Sequence, residues 1–255
     1  MLHSDSVTEG AVLAGRLRLR QPRVGHRVGH DAVLLAAACP LLPGERVVDL
    51  GTGVGAAGLA LALRVPGAEV ILVEIDEQLC ALAQENARLN GLDDRVSVRR
   101  LDVTAPPKTF AAAGLKSESI DRVLLNPPFN DRSRQRASPE PSRSLAHSAI
   151  AGGLVAWIAT TKRLLRPFGT VTVIWRADAL DEVLRALGTF GGVAVLPIHS
   201  QIGQPAIRVV VRATKSSRTP LTLFPGFFLN DATGQPSAEA QSVLRGALTL
   251  PLAQL

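Results

Sequence analysis

The chain has 255 residues, 46% of them apolar, with a formal net charge of +6. That length and apolar share exclude a disordered chain and predict one generous α/β domain, or one domain with a small appendage. Cys39 and Cys80 stand alone in apolar-periodic segments, which excludes a disulfide framework and a cysteine zinc site, so no metal is expected.

The excess of Lys and Arg favours an anionic partner such as RNA or DNA. The opening MLHSDSVTEG lacks the basic-then-apolar layout of a signal peptide, and no apolar run reaches the roughly 18–20 residues of a bilayer span. The expectation is a cytoplasmic protein with no membrane partner.

Residues 1–30 read as a basic lead-in, with Arg16, Arg18, Arg20, Arg23 and Arg27 interleaved with Leu17 and Leu19. The alternation from Arg16 to Arg20 predicts a half-buried strand. Arg27 and His30, at its end, are candidate RNA contacts. DAVLLAAACPLL predicts a helix capped by Asp31 and ended near Pro40. RVVDLG predicts a short buried strand, GTGVGAAG a glycine loop, and AAGLALALR a helix running to Pro66-Gly67. A strand, AEVILVEID, is followed by the helix EQLCALAQENARLNGL, with Gly91 placed as its C-terminal cap. VSVRRLDV and SIDRVLLNPPF are two further strands, the second ending in a Pro-Pro turn.

A polar, arginine-rich loop covers about residues 130–143 and is followed by a helix over about 149–165. Then come a turn at Pro167-Phe168-Gly169, the strand TVTVIW, the helix ALDEVLRALGTF, and the strands VAVLPI and AIRVVVRAT joined by HSQIGQ. Strands alternate with helices until two strands close without a helix between them. The pattern predicts a doubly wound, Rossmann-like α/β domain over residues 31–215, its seven-stranded, mostly parallel sheet ending in an antiparallel hairpin. Residues 216–255 read as a turn-rich appendage with a short last helix, packed on the same domain.

The glycine loop carries the first chemical signal. Gly51, Gly53 and Gly55 let backbone approach a ligand closely, and the following helix offers free N–H groups. Gly53 to Gly58 also match G-x-G-x-x-G, with Glu74 about 20 residues on, so an NAD-binding oxidoreductase is an alternative. Asp49 argues against it. A carboxylate in the strand would repel a pyrophosphate at the helix N-terminus, whereas the ammonium of S-adenosylmethionine would partner it. On this reading Glu74 accepts the ribose hydroxyls, with Asp76 as its competitor. Asp102 accepts from the adenine amino group while the Val103 N–H donates to a ring nitrogen.

The second signal is Asn126-Pro127-Pro128-Phe129 at a strand end. An exocyclic amine or carboxamide nitrogen is a poor nucleophile because its lone pair is delocalised. The Asn126 side-chain oxygen and the Pro127 carbonyl would accept its hydrogens and favour rehybridisation. The two prolines stiffen the turn, and Phe129 offers a stacking face. The tetrad thus predicts transfer to a planar nitrogen, with Asn126, Pro127 and Phe129 as catalytic candidates and Asn126 also bordering the cofactor. Arg132, Arg134 and Arg136 follow as a candidate phosphate-binding rim.

DLGTGVG, VEID, the helix ending ARLNGL, and NPPF together resemble class I methyltransferases of the amino-methylating kind. The segment QPRVGHRVGHDAVLLAA and the tail NDATGQPSAEAQSVLRG resemble the bacterial adenine-N6 methyltransferases that modify valine tRNA next to the anticodon. The resemblance implies the class I fold, S-adenosyl-L-methionine as cofactor and tRNA as partner. It places the cofactor loop on Gly51, Gly53 and Gly55, the ribose acid on Glu74, and the catalytic tetrad on Asn126 to Phe129. His26 stands where relatives often carry an aromatic residue, and this chain has no Tyr. The competing readings are a glutamine-amide methyltransferase on a protein, a guanine-N2 methyltransferase on rRNA, the oxidoreductase, and a non-catalytic RNA-binding module.

Overall fold

The computed structural model describes residues 7–24, 27–128 and 153–254. The first element is a two-stranded hairpin, β1 (Val7–Val12) with β2 (Leu17–Pro22). The period-two pattern of β2 holds: Leu17, Leu19 and Gln21 are buried and Arg18 is exposed. Those leucines join a core shared with the first helices of the main domain, so the lead-in is packed structure. β1 was not expected from the sequence.

Helix α1 (His30–Ala38) begins one residue before the expected cap. Gly29 occupies the cap position, and Asp31 lies inside the first turn, where it accepts a hydrogen bond from Arg208 Nε at 3.0 Å. A charge partner from a distant strand draws Asp31 away from the capping role.

Then come β3 (Arg46–Leu50), α2 (Ala56–Arg64), β4 (Glu69–Glu74), α3 (Glu77–Leu89), β5 (Val96–Arg100), α4 (Pro107–Ala112) and β6 (Ile120–Leu125). After them lie α5 (Gly153–Leu164), β7 (Leu165–Arg176), α6 (Leu180–Ala186), β8 (Gly191–Gln201) and β9 (Ala206–Thr214). The expected turn at Pro167–Gly169 lies within the bounds of β7, with Phe168 at φ 64°. α4 is an addition to the sequence reading.

The tail does more than cover the domain. β10 (Thr222–Leu223) and β11 (Phe227–Asn230) both pair in parallel with β8, and α7 (Ala238–Leu244) packs beyond them. Among the described residues nine strands therefore form one sheet, seven of them the expected set, in the order β10-β8-β9-β7-β6-β3-β4-β5 with β11 also on β8. β3 to β7 run parallel; β9 runs antiparallel between β7 and β8.

Alternation along each strand splits the core into two layers. Val47, Leu72, Leu124 and Ile174 meet α1 and α2, while Val48, Leu50, Val73, Val123 and Leu125 meet the side of Phe110, Trp157 and Val183. From β3 the chain winds one way to β4 and β5, then crosses back to β6 and winds the other way. The reversal leaves a crevice at the carboxyl ends of β3 and β6, where ligands of doubly wound sheets bind.

Candidate active site

Register brings the two sequence motifs to that crevice. Leu50 pairs with Val73 on one side and Leu125 on the other, so Gly51, Glu74 and Asn126 leave three adjacent strands at one level. Adjacent strands stand about 4.8 Å apart, which puts the glycine loop and the tetrad side by side.

The loop is held from both ends. The Gly51 and Thr52 N–H groups donate to the Val73 carbonyl at 2.8 and 3.0 Å. Gly51, Gly53 and Gly55 all have positive φ, at 69°, 60° and 92°. They differ in what surrounds them. A side chain on Gly51 would strike the Trp157 ring, and one on Gly55 would press on Leu59 and Leu72. Among the described residues, no atom lies within 4 Å of a Cβ built on Gly53. The loop is closed against protein at its ends and open at its middle.

Asp49 has protein partners that the sequence did not reveal. Its side chain is 2% exposed, and its Oδ2 accepts from Thr52 Oγ1 at 2.6 Å and from the Gly58 N–H at 3.0 Å. Gly58 lies in the first turn of α2, so Asp49 supplies the acceptor that this helix lacks at its cap, Gly55. Burial still dominates and pushes the carboxyl up to about 6, against the lowering effect of both hydrogen bonds, with Glu74 nearby adding to the rise.

Glu74 is 8% exposed and turned onto the loop. Its Oε2 accepts the Gly53 N–H at 2.9 Å; its Oε1 accepts the Ile75 and Asp76 N–H groups at 2.9 and 3.1 Å. A carboxylate has about four acceptor positions, so capacity remains for a hydroxyl. Asp76, its competitor, caps α3 by accepting from the Gln78 and Leu79 N–H groups at 2.8 and 3.0 Å. Asp102 Oδ1 accepts the N–H and hydroxyl of Thr104, both at 2.7 Å, and the Val103 carbonyl accepts from Thr160 of α5 at 2.8 Å.

Asn126 is half-buried, Pro127 buried and Pro128 exposed. Arg27 and His30 are exposed, next to and at the start of α1. Phe129, Arg132, Arg134, Arg136 and His26 lie outside the described residues. Two residues of this neighbourhood escaped the sequence reading: Trp157, which packs on Gly51, and Asn86, which donates to the Val54 carbonyl from α3. Among the described residues, no cluster of three His, Cys, Asp or Glu is placed to hold a metal ion. No helix among them is long and apolar enough to cross a membrane.

Solved structures share this architecture. A protein described as a predicted O-methyltransferase from Agrobacterium tumefaciens superposes with a TM-score of 0.73 at 29% identity, over 86% of this chain and 98% of that one. The T. thermophilus 16S rRNA N2 G1207 methyltransferase, solved with AdoMet and guanosine, gives a TM-score of 0.57 at 22% identity, over 82% of this chain and 50% of that one. The fold and the crevice at its reversal point define a class I S-adenosylmethionine-dependent methyltransferase. Residues 26–182 match the model of one family, and the chain belongs to it: the Methyltransferase small domain family. Family membership sets aside the oxidoreductase reading of the glycine loop.

Among curated relatives, a tRNA1(Val) (adenine(37)-N6)-methyltransferase of Aeromonas hydrophila is 30% identical over 74% of this chain and 77% of its own length. A release factor glutamine methyltransferase of Moorella thermoacetica is 34% identical over 60% of this chain and 55% of its own length.

Proposed function

We propose that this enzyme methylates the exocyclic N6 of an adenine in tRNA, in the cytoplasm. The observation that carries the reading is the register that sets Asn126 and Glu74 on either side of Gly51 at the crevice. The relatives named for adenine 37 of tRNA1(Val) support the choice of base and RNA.

The residues fit the nucleoside of the cofactor. The open space over Gly53 admits it, the loop backbone lies against it, and Glu74 accepts from its ribose. Asp102 and the Val103 N–H, at the end of β5, take the adenine edge. When bound, S-adenosylmethionine supplies an electrophilic methyl on a sulfonium. Asn126 Oδ1 and the Pro127 carbonyl accept the two N–H hydrogens of the target amine, which draws its lone pair out of conjugation. The amine so held would accept the methyl that the cofactor would supply, and would release one proton to water. Water suffices as base, because the methylated cation is strongly acidic. Arg27 and His30, with Arg132, Arg134 and Arg136, contact the RNA backbone; Phe129 stacks on the base.

The test is incubation of the purified enzyme with radiolabelled S-adenosylmethionine and total RNA from a strain deleted for its gene, followed by digestion to nucleosides. Label in N6-methyladenosine from the tRNA fraction is expected. Label in N2-methylguanosine from rRNA, or only in a release-factor peptide offered in parallel, would overturn the assignment.

A further inference from the structure

We propose that Asn86 is a positioning residue that locks the cofactor loop to the N-terminal hairpin. The proposal rests on the reading that the loop after β3 holds the cofactor. Asn86 is fully buried. Its Oδ1 accepts the Arg20 N–H at 2.7 Å, and its Nδ2 donates to the Arg20 carbonyl at 2.9 Å and to the Val54 carbonyl at 3.0 Å. Val54, itself buried, stands between Gly53, whose Cβ direction no described residue fills, and Gly55. Both amide hydrogens and the oxygen are thus used, and flipping the amide would set like against like at all three contacts.

The arrangement is repeated one helical turn on. Asn90 Oδ1 accepts the Arg18 N–H at 2.9 Å, and its Nδ2 donates to the Arg18 carbonyl at 2.7 Å and to the Asn86 carbonyl at 2.7 Å. Two side-chain amides, one in α3 and one at its C-cap four residues on, therefore pair with alternate residues of β2 as a neighbouring strand would. They satisfy the hairpin edge that β1 leaves open. Only Asn86 also reaches the cofactor loop. β2 runs antiparallel to α3, so the chain leaving Arg20 heads toward the start of α3, the end of the helix that follows Glu74. Asn is a poor residue for a helix interior, and α3 carries it where the amide joins three segments.

The pair supplies its own control. Asn90→Ala loosens the hairpin without touching Val54; Asn86→Ala loosens the hairpin and frees the loop. S-adenosylhomocysteine is titrated calorimetrically into wild type, both variants and Glu74→Ala, with Tm recorded, and S-adenosylmethionine KM and kcat are measured on one tRNA preparation. Asn86→Ala should bind S-adenosylhomocysteine at least about tenfold more weakly and raise KM by a similar factor, with kcat changed less than about threefold. Asn90→Ala should lose comparable Tm but less than about threefold in affinity. Equal affinity losses in the two variants, or wild-type affinity in Asn86→Ala, would overturn the proposal. If Asn86→Ala does not fold, Asn86→Ser takes its place; failure of both while Asn90→Ala folds would make Asn86 a stability residue and overturn the proposal too. Glu74→Ala separates the two readings. Its loss of binding with Asn86→Ala intact defeats the lock alone, whereas wild-type binding in Glu74→Ala defeats the cofactor site and the lock with it.

Discussion

Asp49 shows how one buried acid holds the glycine loop to the helix that follows it. The sequence placed a carboxylate in a strand and asked what could meet it; the structure answers with Thr52 and the first turn of α2. Those local partners depend on how the loop folds back, which strand patterning does not reveal. Burial lifts the folded-state pKa from 3.8 to about 6. The protonated acid therefore favours the fold: its contribution is complete below pH 3.8 and lost as pH rises through about 6. A shift of roughly two units corresponds to at most about 3 kcal/mol. Asn in its place keeps an oxygen for both donors and removes the charge. Asp49→Asn should accordingly be more stable than wild type at pH 8, with the advantage shrinking toward pH 4. Thermal unfolding of the ligand-free protein across that range checks it; parallel profiles for the two proteins would contradict it.

At the scale of elements, the buried strands and the glycine loop were legible because their signals are local: apolar runs, bounding glycines and period-two alternation. The elements missed were short or formed by partners far along the chain. β1 carries Glu9 and Gly10 in its middle and exists because β2 pairs with it; β10 and β11 exist because β8 offers an edge. Asn86 was invisible for the same reason, since its three contacts lie 32 and 66 residues away. The glycines of the loop looked equivalent in sequence, and the structure separates them. Gly51→Ala sets a methyl against Trp157 and should displace α5, with a marked loss of Tm. Gly53→Ala carries the positive-φ penalty, about 1–2 kcal/mol, but points its methyl where no described residue stands. It should lose little more Tm than that penalty and yet bind S-adenosylhomocysteine at least about tenfold more weakly. Thermal shift and calorimetry on both variants check this; a smaller affinity loss in Gly53→Ala than in Gly51→Ala would place the cofactor elsewhere.

Across the whole molecule, the net charge of +6 and the exposed Arg27 and His30 suit a polyanionic substrate. Arg18 and Arg20, counted with them in the sequence, are engaged with Glu9, and Arg20 also with Glu85, so they belong to the packing of the hairpin. Arg27→Ala should weaken tRNA binding and lower the salt slope by about one, while S-adenosylhomocysteine affinity stays unchanged. Filter binding at several salt concentrations checks it, and an unchanged slope would remove Arg27 from the RNA surface. The proposed join between glycine loop and tetrad is tested most directly by single-turnover methylation of tRNA by Asn126→Ala, alongside calorimetry with S-adenosylhomocysteine. Loss of one oriented acceptor at the reacting amine should slow the step by about 10²-fold or more with cofactor binding retained. A folded Asn126→Ala that binds S-adenosylhomocysteine and methylates at the wild-type rate would contradict amine activation at this site.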